Sequence, residues 1–280
     1  MNNYHIVTVA TDSKFYFEYL KESCKMFGKE LEILGYKQKW LGFNWRLNLM
    51  NDYLKKINPT DIVVFVDGYD VVCLRKLNDL VKKFYEIKQR EKCKIIVGHD
   101  KVMFFTGEIF QNLHFGKCKN TFLNAGSYIG IASDLLEILN NMSKMNSDNK
   151  ADDQVLLTKY CNLKNNEVYI DIKNEIFIVL SNPFNDVDNE FKLINNEIVY
   201  KDESKPFFFH GPASTYLDEL IKKIGIEHND NDKIKNDILE HFFTKKIFDV
   251  AELVLYENIE SLIFILLIII FIVILYKKNY

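Results

Sequence analysis

The clearest evidence for the fold lies in residues 61–70, Asp61-Ile62-Val63-Val64-Phe65-Val66-Asp67-Gly68-Tyr69-Asp70. Its apolar middle, residues 62–66, is continuous, rich in β-branched side chains and bounded by aspartates. Such a run is typical of a strand that is buried on both faces of a parallel sheet. Similar apolar runs alternate with amphipathic helical stretches along the chain, which is the pattern of an α/β domain. We therefore predict an α/β fold that contains this strand.

Further elements follow outward from this strand in both directions. Apolar runs predict strands over 6–10, 31–34, 94–98 and 207–210, and a glycine-punctuated strand pair over 122–131. Helical periodicity predicts helices over 15–27, 47–57, 77–85 and 152–160, and another that begins at residue 133. Pro59 stops the helix that precedes the central strand. Strands and helices thus alternate over the first 225 residues or so, which we predict to form one domain (1–225).

The composition excludes some classes of function. The chain has 280 residues, of which 48% are hydrophobic and 27% are charged, and its formal net charge is −3. A chain with this charge has no basic field to hold a phosphate backbone, so we expect no nucleic-acid partner. The number of cysteines is odd, at five, and they form no C-x-x-C pair. We therefore expect scattered, reduced thiols.

The C-terminal end differs in composition from the rest. Residues 226–258 are predicted to form a helical stem, and residues 261–276 carry no charge. A helix of this length almost spans the ~30 Å hydrocarbon core of a bilayer. We therefore predict a transmembrane helix over 259–276, a basic tail over 277–280, and a single-pass membrane protein of the endoplasmic reticulum or another host or viral membrane. Lys277 and Lys278 favour a cytosolic C-terminus, and the absence of a signal peptide opposes it, so the facing side stays open.

Two carboxylates follow the central strand and are candidates for a metal site. Asp67 and Asp70 flank a turn that begins with Gly68. Ligands of open α/β sheets bind beyond the carboxyl ends of the strands, and carboxylate oxygens suit a divalent cation. An ordinary Asp-Gly turn explains the same residues, so both interpretations stay open. A phosphohydrolase also fits the acids, although the spacing of three disfavours the dehalogenase type.

Other polar residues follow predicted strands or begin a predicted helix. Asn124 precedes a tight turn, and His210 ends a strand as a lone histidine. Asp152 and Asp153 stand at the start of a helix, where they serve either as caps or as site residues. None of these patterns is specific by itself.

The ordered set of motifs closely resembles the glycosyltransferase domain of the procollagen lysyl hydroxylases, a family of procollagen galactosyltransferase- and glucosyltransferase-like domains. The resemblance covers residues 1 to about 220. It is carried by Thr8-Val9-Ala10-Thr11, Leu34-Gly35, Trp40, Phe65-Val66-Asp67-Gly68-Tyr69-Asp70-Val71, Phe122-Leu123-Asn124-Ala125-Gly126, Ile129-Gly130, Asp152-Asp153-Gln154 and His210-Gly211-Pro212.

The resemblance implies a GT-A-type, Rossmann-like nucleotide-sugar-binding domain that uses Mn²⁺ and a UDP-sugar. The implied reaction transfers glucose or galactose to a hydroxylysine-bearing, collagen-like protein or to a glycan. The residues carried over are Asp67, Asp70 and His210 as metal ligands, Val9, Thr11, Trp40, Tyr69 and Gly211 around the nucleotide, and Asn124, Asp152 and Asp153 as catalytic residues.

The chain departs from the family pattern at two places. The family reads H-G-N-G-P followed by a lysine, whereas here Pro212 comes directly after Gly211 and no lysine follows before Lys222. A basic residue expected between Trp40 and residue 47 has Arg46 as its nearest candidate. These departures leave a second hypothesis open, a catalytically silent, membrane-tethered protein that binds a nucleotide sugar.

Overall fold

The computed structural model describes residues 3–103, 105–145, 152–228, 231–246 and 268. The chain divides into two compact units, Met1–Asn231 and Asp232–Tyr280. The described strands all lie in the first unit: β1 (Tyr4–Val9), β2 (Leu31–Leu34), β3 (Ile62–Val66), β4 (Val71–Cys73), β5 (Ile95–Val102), β6 (Leu123–Ile131), β7 (Val168–Asp171), β8 (Phe177–Ser181), β9 (Phe191–Ile194), β10 (Glu197–Tyr200) and β11 (Phe208–His210).

Seven of the eight described α-helices lie within the first unit. They are α1 (Phe17–Met26), α2 (Phe43–Leu54), α3 (Leu80–Glu91), α4 (Phe105–His114), α5 (Ala132–Met145), α6 (Asp153–Leu163) and α7 (Asp218–Lys223). A 3₁₀ turn over Asp188–Glu190 precedes β9. The predicted boundaries 1–225 and 226–258 stay predictions.

The main sheet has nine strands in the order β2-β1-β3-β6-β5-β8-β11-β4, and β7 pairs with β5. β3 runs parallel to β1 and antiparallel to β6, and β11 runs parallel to β8 and antiparallel to β4. The α/β prediction is confirmed, and the mixed sheet fits a Rossmann-like GT-A domain. The strand pair expected over 122–131 is one long strand, because β6 continues past a register shift opposite Val97 and Gly98.

Helices cover both faces of the sheet, as the continuous apolar run of β3 requires. Val63 and Phe65 point into a core with the apolar sides of α2, α5 and α6. Ile62, Val64 and Val66 alternate with them and pack against α1 and α3. All five side chains of β3 are buried as a result. This burial places the carboxyl end of β3, and the acids that follow it, on a rigid strand in the middle of the sheet.

A disulfide joins two of the cysteines, so the prediction of reduced thiols throughout was wrong. Cys118 and Cys161 are 43 residues apart in sequence and bonded, whereas Cys24, Cys73 and Cys93 are free and buried. The bond ties the turn before β6 to the last part of α6. The spacing of Cys118 and Cys161 matches no motif, because these two residues come together only when α6 packs on the sheet.

Removing this disulfide is expected to destabilise the chain. The substitution Cys161→Ala should lower the free energy of unfolding by about 4 kcal/mol, since a crosslink that closes a loop of 43 residues restricts the unfolded chain. Urea unfolding under non-reducing conditions measures the difference. Cys93→Ala removes a buried but free thiol and serves as the control, and equal losses in the two variants would contradict the prediction.

His99 of β5 gives the stability a dependence on pH. Burial, reinforced by the charge of Lys101, lowers the pKa of His99 to about 4. Because this value is below that of an unfolded histidine, the contribution of His99 is present above about pH 6.5 and is lost as the pH falls towards 4. We expect wild type to lose about 2 kcal/mol more than His99→Gln between pH 7 and pH 4. Urea unfolding at both pH values checks this, and parallel losses would refute it.

The prediction of a membrane protein was wrong. Among the residues that the structure describes, no helix combines the length and the apolar character that a membrane crossing requires. The segment predicted to cross the membrane, residues 259–276, lies outside the described residues except for Ile268, and the basic tail at 277–280 lies outside them too. In the second unit the structure describes most of α8 (Asn231–His241) and a π-helical turn over Phe242–Lys246.

Candidate metal centre

Asp67 and Asp70 lie at the carboxyl edge of the sheet, in the turn that joins β3 to β4. The backbone N–H of Asp67 donates to the carbonyl of Gly126 at 2.8 Å, and the carbonyl of Asp70 accepts from the N–H of Gly211 at the same distance. The turn packs closely on the end of β1, since a Cβ on Gly68 would lie 3.1 Å from Ala10 Cβ. Backbone contacts to both β6 and the segment after β11 thus hold the two acids in place.

His210 reaches the same point from β11, although it is 140 residues further along the chain. The pairing of β11 with β4 puts His210 opposite Val71, which follows Asp70 directly. His210 Nε2 lies 3.1 Å from Asp70 Oδ1 and 3.8 Å from Asp67 Oδ2. One ligand atom from each of the three residues lies within 4.8 Å of the other two. The structure therefore brings the three predicted ligands together.

The triad fits a divalent cation. His210 Nε2 is buried and lies 3.1 Å from Asp70 Oδ1, but among the residues that the structure describes it makes no hydrogen bond of regular geometry. Burial alone would lower the pKa of His210, but the carboxylates of Asp70 and Asp67 raise it above its ordinary value. A cation between the three groups would use the free nitrogen and balance the two charges.

Gly126 of β6 leaves room beside the triad. A Cβ at this position would overlap Asp67 Oδ2 and would lie 2.5 Å from His210 Cε1. The backbone approaches the two ligands so closely that a side chain larger than hydrogen does not fit. The Asn124-Ala125-Gly126 motif therefore needs glycine at its third position for steric reasons. The N–H of this glycine also donates a hydrogen bond to Asn124 Oδ1.

Asn124 of β6, a predicted catalytic residue, lies behind His210 and is buried. Its Oδ1 accepts from the Gly126 N–H at 2.9 Å and lies 3.0 Å from His210 Nδ1. Its Nδ2 lies 3.4 Å from Asp100 Oδ2 and from Gln154 Oε1. Burial raises the pKa of Asp100, and hydrogen bonds from neighbouring side chains oppose this. Asp100, just past the strand predicted over 94–98, was missed because nothing in its local pattern marks it.

Asp152 and Asp153, also predicted to be catalytic, have different surroundings. Asp152 caps α6, since its Oδ1 accepts from the backbone N–H groups of Gln154 and Val155 at 2.8 and 3.2 Å. Asp153 is buried and accepts from Arg46 Nε at 2.9 Å and from Arg46 Nη2. Burial raises the pKa of Asp153 to about 7, and the Arg46 guanidinium opposes this shift.

Arg46 of α2 connects the catalytic candidates to the metal ligands. In addition to its bonds to Asp153, it donates from Nη1 to Asp67 Oδ1 at 2.5 Å. The guanidinium is buried and lies over the rings of Phe43 and Phe65. Burial lowers the pKa of Arg46, but the carboxylates of Asp153 and Asp67 raise it above its ordinary value. The sequence suggested Arg46 only as the nearest candidate for an expected basic residue. In the structure it bridges Asp153 and the metal ligand Asp67.

Tyr69 and Thr11, both predicted to line the nucleotide pocket, lie next to each other. Tyr69 Oη accepts from the Thr11 N–H at 2.9 Å and donates to Asp12 Oδ1 at 3.0 Å. The half-buried ring contacts Phe15 and Phe17. The hydroxyl contacts hold this ring between the end of β1 and the metal ligands.

The other three residues predicted for the nucleotide pocket have different surroundings. Trp40 is 44% exposed and packs its ring against Phe43 and Trp45. The side chain of Val9 belongs to the core beneath the sheet. Gly211 contributes its N–H to the turn of Asp70. The role of each in nucleotide binding stays a prediction.

Most of the chain matches a known protein family. The family described as the PLOD GT domain matches residues 1–233 of the chain. The multifunctional procollagen lysine hydroxylase and glycosyltransferase of Caenorhabditis elegans is 27% identical over 245 residues, which cover 80% of this chain and 32% of the relative.

Two further relatives are procollagen-lysine,2-oxoglutarate 5-dioxygenases. The Drosophila melanogaster protein is 25% identical over 231 residues, or 76% of this chain and 31% of the relative. Human procollagen-lysine,2-oxoglutarate 5-dioxygenase 2 is 24% identical over 204 residues, which cover 67% of this chain and 26% of the relative. The chain spans about a third of the length of the curated relatives it matches. From the family match over residues 1–233, the chain belongs to the PLOD GT domain family, which is a family of glycosyltransferases.

Proposed function

We propose that this protein is a metal-dependent hexosyltransferase that uses a UDP-sugar, UDP-glucose or UDP-galactose, as its donor. The observation that carries the proposal is the triad of Asp67, Asp70 and His210 in a chain of this family. The proposed ion is Mn²⁺, because the triad mixes carboxylate and imidazole ligands. The proposed domain for this activity is residues 1–225.

Asp67, Asp70 and His210 would hold the cation, which when bound supplies positive charge to a diphosphate leaving group. Tyr69 and Thr11 present a ring and a hydroxyl at the end of β1, next to the triad, where a uracil base can stack. Val9, Trp40 and Gly211 are proposed to complete the nucleotide site. Catalysis would depend mainly on holding the donor and acceptor in position.

The roles proposed for the catalytic residues follow from their contacts. Arg46 keeps Asp153 next to Asp67 and partly neutralises both. Asp152 has one oxygen committed to the cap of α6, while its other oxygen lies 3.9 Å from His114 Nε2. We propose that Asp152 and Asp153 face the sugar and the acceptor, and that Asn124 supports them.

The proposed acceptor is a hydroxylysine-bearing or collagen-like protein, or a glycan. Support comes from the relatives alone, whose names refer to procollagen lysine. They are about three times as long as the matched region, so their acceptor need not be that of this chain.

A catalytically silent protein that binds a nucleotide sugar is the second candidate. One observation favours it: the carboxylate of Asp153 is already bound to Arg46 in the buried site. The short Gly211-Pro212 connection after His210 agrees with this alternative. It predicts metal-dependent binding of UDP without turnover.

The proposal is tested by UDP release from the full chain, with a panel of UDP-sugars and with either Mn²⁺ or EDTA. We expect release with one preferred hexose donor in Mn²⁺ and none in EDTA. If no sugar is turned over, titration calorimetry with UDP separates the remaining cases. Metal-dependent binding without turnover, in the presence of acceptor peptides that carry hydroxylysine, supports the silent binder. Absence of UDP binding in Mn²⁺ refutes both candidates.

A further inference from the structure

His210 can bind a metal only in one of its two neutral forms. Nε2 is the nitrogen that faces Asp67 and Asp70, so the ring proton must be on Nδ1. The form with the proton on Nε2 would point N–H at the cation instead of a lone pair. Metal affinity therefore depends on what lies next to Nδ1.

The amide of Asn124 selects the required form. The atom that lies 3.0 Å from His210 Nδ1 also accepts the backbone N–H of Gly126 at 2.9 Å. A backbone N–H can only donate, so this atom must be the amide oxygen. His210 Nδ1 must then carry the proton, and Nε2 is left free. The inference depends on Asn124 keeping this orientation.

Asp100 makes the opposite orientation of the amide unfavourable. In the observed orientation, Asn124 Nδ2 points towards Asp100 Oδ2 and Gln154 Oε1, each at 3.4 Å. A flipped amide would place its oxygen against the Asp100 carboxylate and its NH₂ group against the Gly126 N–H. Gln154 has a smaller effect because it is uncharged and also accepts from the Ala125 N–H at 3.2 Å.

The position of Asp100 is itself fixed. The side chain is 5% exposed, and Ser181 Oγ donates to its Oδ1 at 3.2 Å. Gln111 of α4 contributes another hydrogen bond. Ser181 and Gln111 are neutral donors that hold the buried carboxylate of Asp100 with one oxygen towards Asn124 Nδ2. The other end of the Asn124 amide, Oδ1, faces His210.

We propose that Asp100 is a positioning residue of the metal centre, which acts through Asn124 to hold His210 with its proton on Nδ1 and Nε2 free for the cation. The inference rests on the metal site of the proposed function. Outer partners of metal-bound histidines commonly change metal affinity by ~10–100-fold when they are replaced.

The first measurement needs no metal. The full chain is labelled with ¹⁵N-histidine and kept in EDTA at a pH above the raised pKa of His210, so that the ring is neutral. Long-range proton–nitrogen spectra then show which ring nitrogen carries the proton, and His210→Gln identifies the signals of His210. We expect the proton on Nδ1 in wild type and in Asp100→Asn, which can still accept from Asn124 and donate to Ser181. In Asp100→Leu we expect both forms of the ring.

The second measurement is Mn²⁺ affinity, from the electron paramagnetic resonance signal of the free ion. Asp100→Leu should bind Mn²⁺ more weakly than wild type by the factor by which its Nδ1–H fraction falls, about 2–10-fold for a mixture of the two forms, and Asp100→Asn should bind it as tightly as wild type. Asp171→Asn is the matched control, because Asp171 is a fully buried carboxylate that accepts backbone N–H groups away from the triad. It should leave both the affinity and the His210 spectrum unchanged.

A folded Asp100→Leu variant with wild-type Mn²⁺ affinity and a single Nδ1–H form overturns the proposal. If this variant does not fold, Ser181→Ala takes its place: we expect a few-fold weaker affinity, and unchanged affinity and spectrum overturn the proposal. Absence of Mn²⁺ binding in wild type refutes the proposed metal site instead, and the spectra of the metal-free chain still decide the role of Asp100.

Discussion

Asp70→Asn is expected to lower UDP-sugar turnover in Mn²⁺ by at least about 100-fold. The substitution removes one charge and one ligand oxygen and leaves the size of the side chain unchanged. Replacing outer partners of a metal site already costs ~10–100-fold, so the loss of a direct ligand should cost more. Asp70 is the better choice of the two acids, because Asp67 also binds Arg46, and its replacement would disturb two interactions. Steady-state rates with the preferred donor, measured at several Mn²⁺ concentrations, give the effect.

The fold should survive this substitution. Only the backbone carbonyl of Asp70 bonds to Gly211, and the side chain does not contribute to that contact. Asp52→Asn is the matched control, since Asp52 is an exposed acid on α2 that pairs with Lys55. Equal rates for Asp70→Asn and wild type at limiting Mn²⁺ would show that the triad is not the metal site.

The central strand and its two acids could be predicted because the information is local. A β-branched run bounded by charges indicates a fully buried strand, and Asp67 and Asp70 follow it directly in sequence. The mixed direction of the strands could not be predicted in the same way. β6 runs antiparallel to β3 and β5, and apolar runs look alike in either direction.

Contacts over long distances in sequence were harder to predict. His210 entered the site through the resemblance, and its physical reason is the β11–β4 register, which no local pattern contains. The Cys118–Cys161 bond depends in the same way on how α6 packs. Arg46 was considered only as the nearest candidate for an expected basic residue. The structure gives it two acidic partners, one in the turn after β3 and one in α6. Residues that connect elements therefore accounted for most of what the sequence did not reveal.

Arg46→Met is expected to lower the free energy of unfolding by about 4 kcal/mol in EDTA. Removing one partner of a buried ion pair leaves an uncompensated charge, which typically costs ~3–5 kcal/mol. The charge in question is mainly that of Asp153, which is 5% exposed. Methionine is similar in length and keeps contacts to Phe43 and Phe65. Urea unfolding of the full chain measures the loss.

The loss should depend on pH in a definite direction. Burial raises the pKa of Asp153 to about 7 even with Arg46 in place, so without the guanidinium the carboxyl takes up a proton more readily. A raised pKa means that stability is retained at low pH and lost as the pH rises through it. The deficit of Arg46→Met should therefore be smaller at pH 5 than at pH 8. Asp153→Asn in the same chain should recover much of it, because the buried charge is then gone.

An exposed arginine pair provides the comparison that isolates burial. Arg90 binds Glu175 at the surface, with its side chain 40% exposed, and Arg90→Met should cost no more than about 1 kcal/mol. If Arg46→Met costs as little free energy of unfolding as Arg90→Met, the buried bridge contributes nothing to the fold.

A large cost of Arg46→Met in EDTA that becomes smaller in Mn²⁺ would instead show that Arg46 and the cation have the same electrostatic role. Because both offset the charge of Asp67, the guanidinium would allow the metal-free site to fold before the ion arrives.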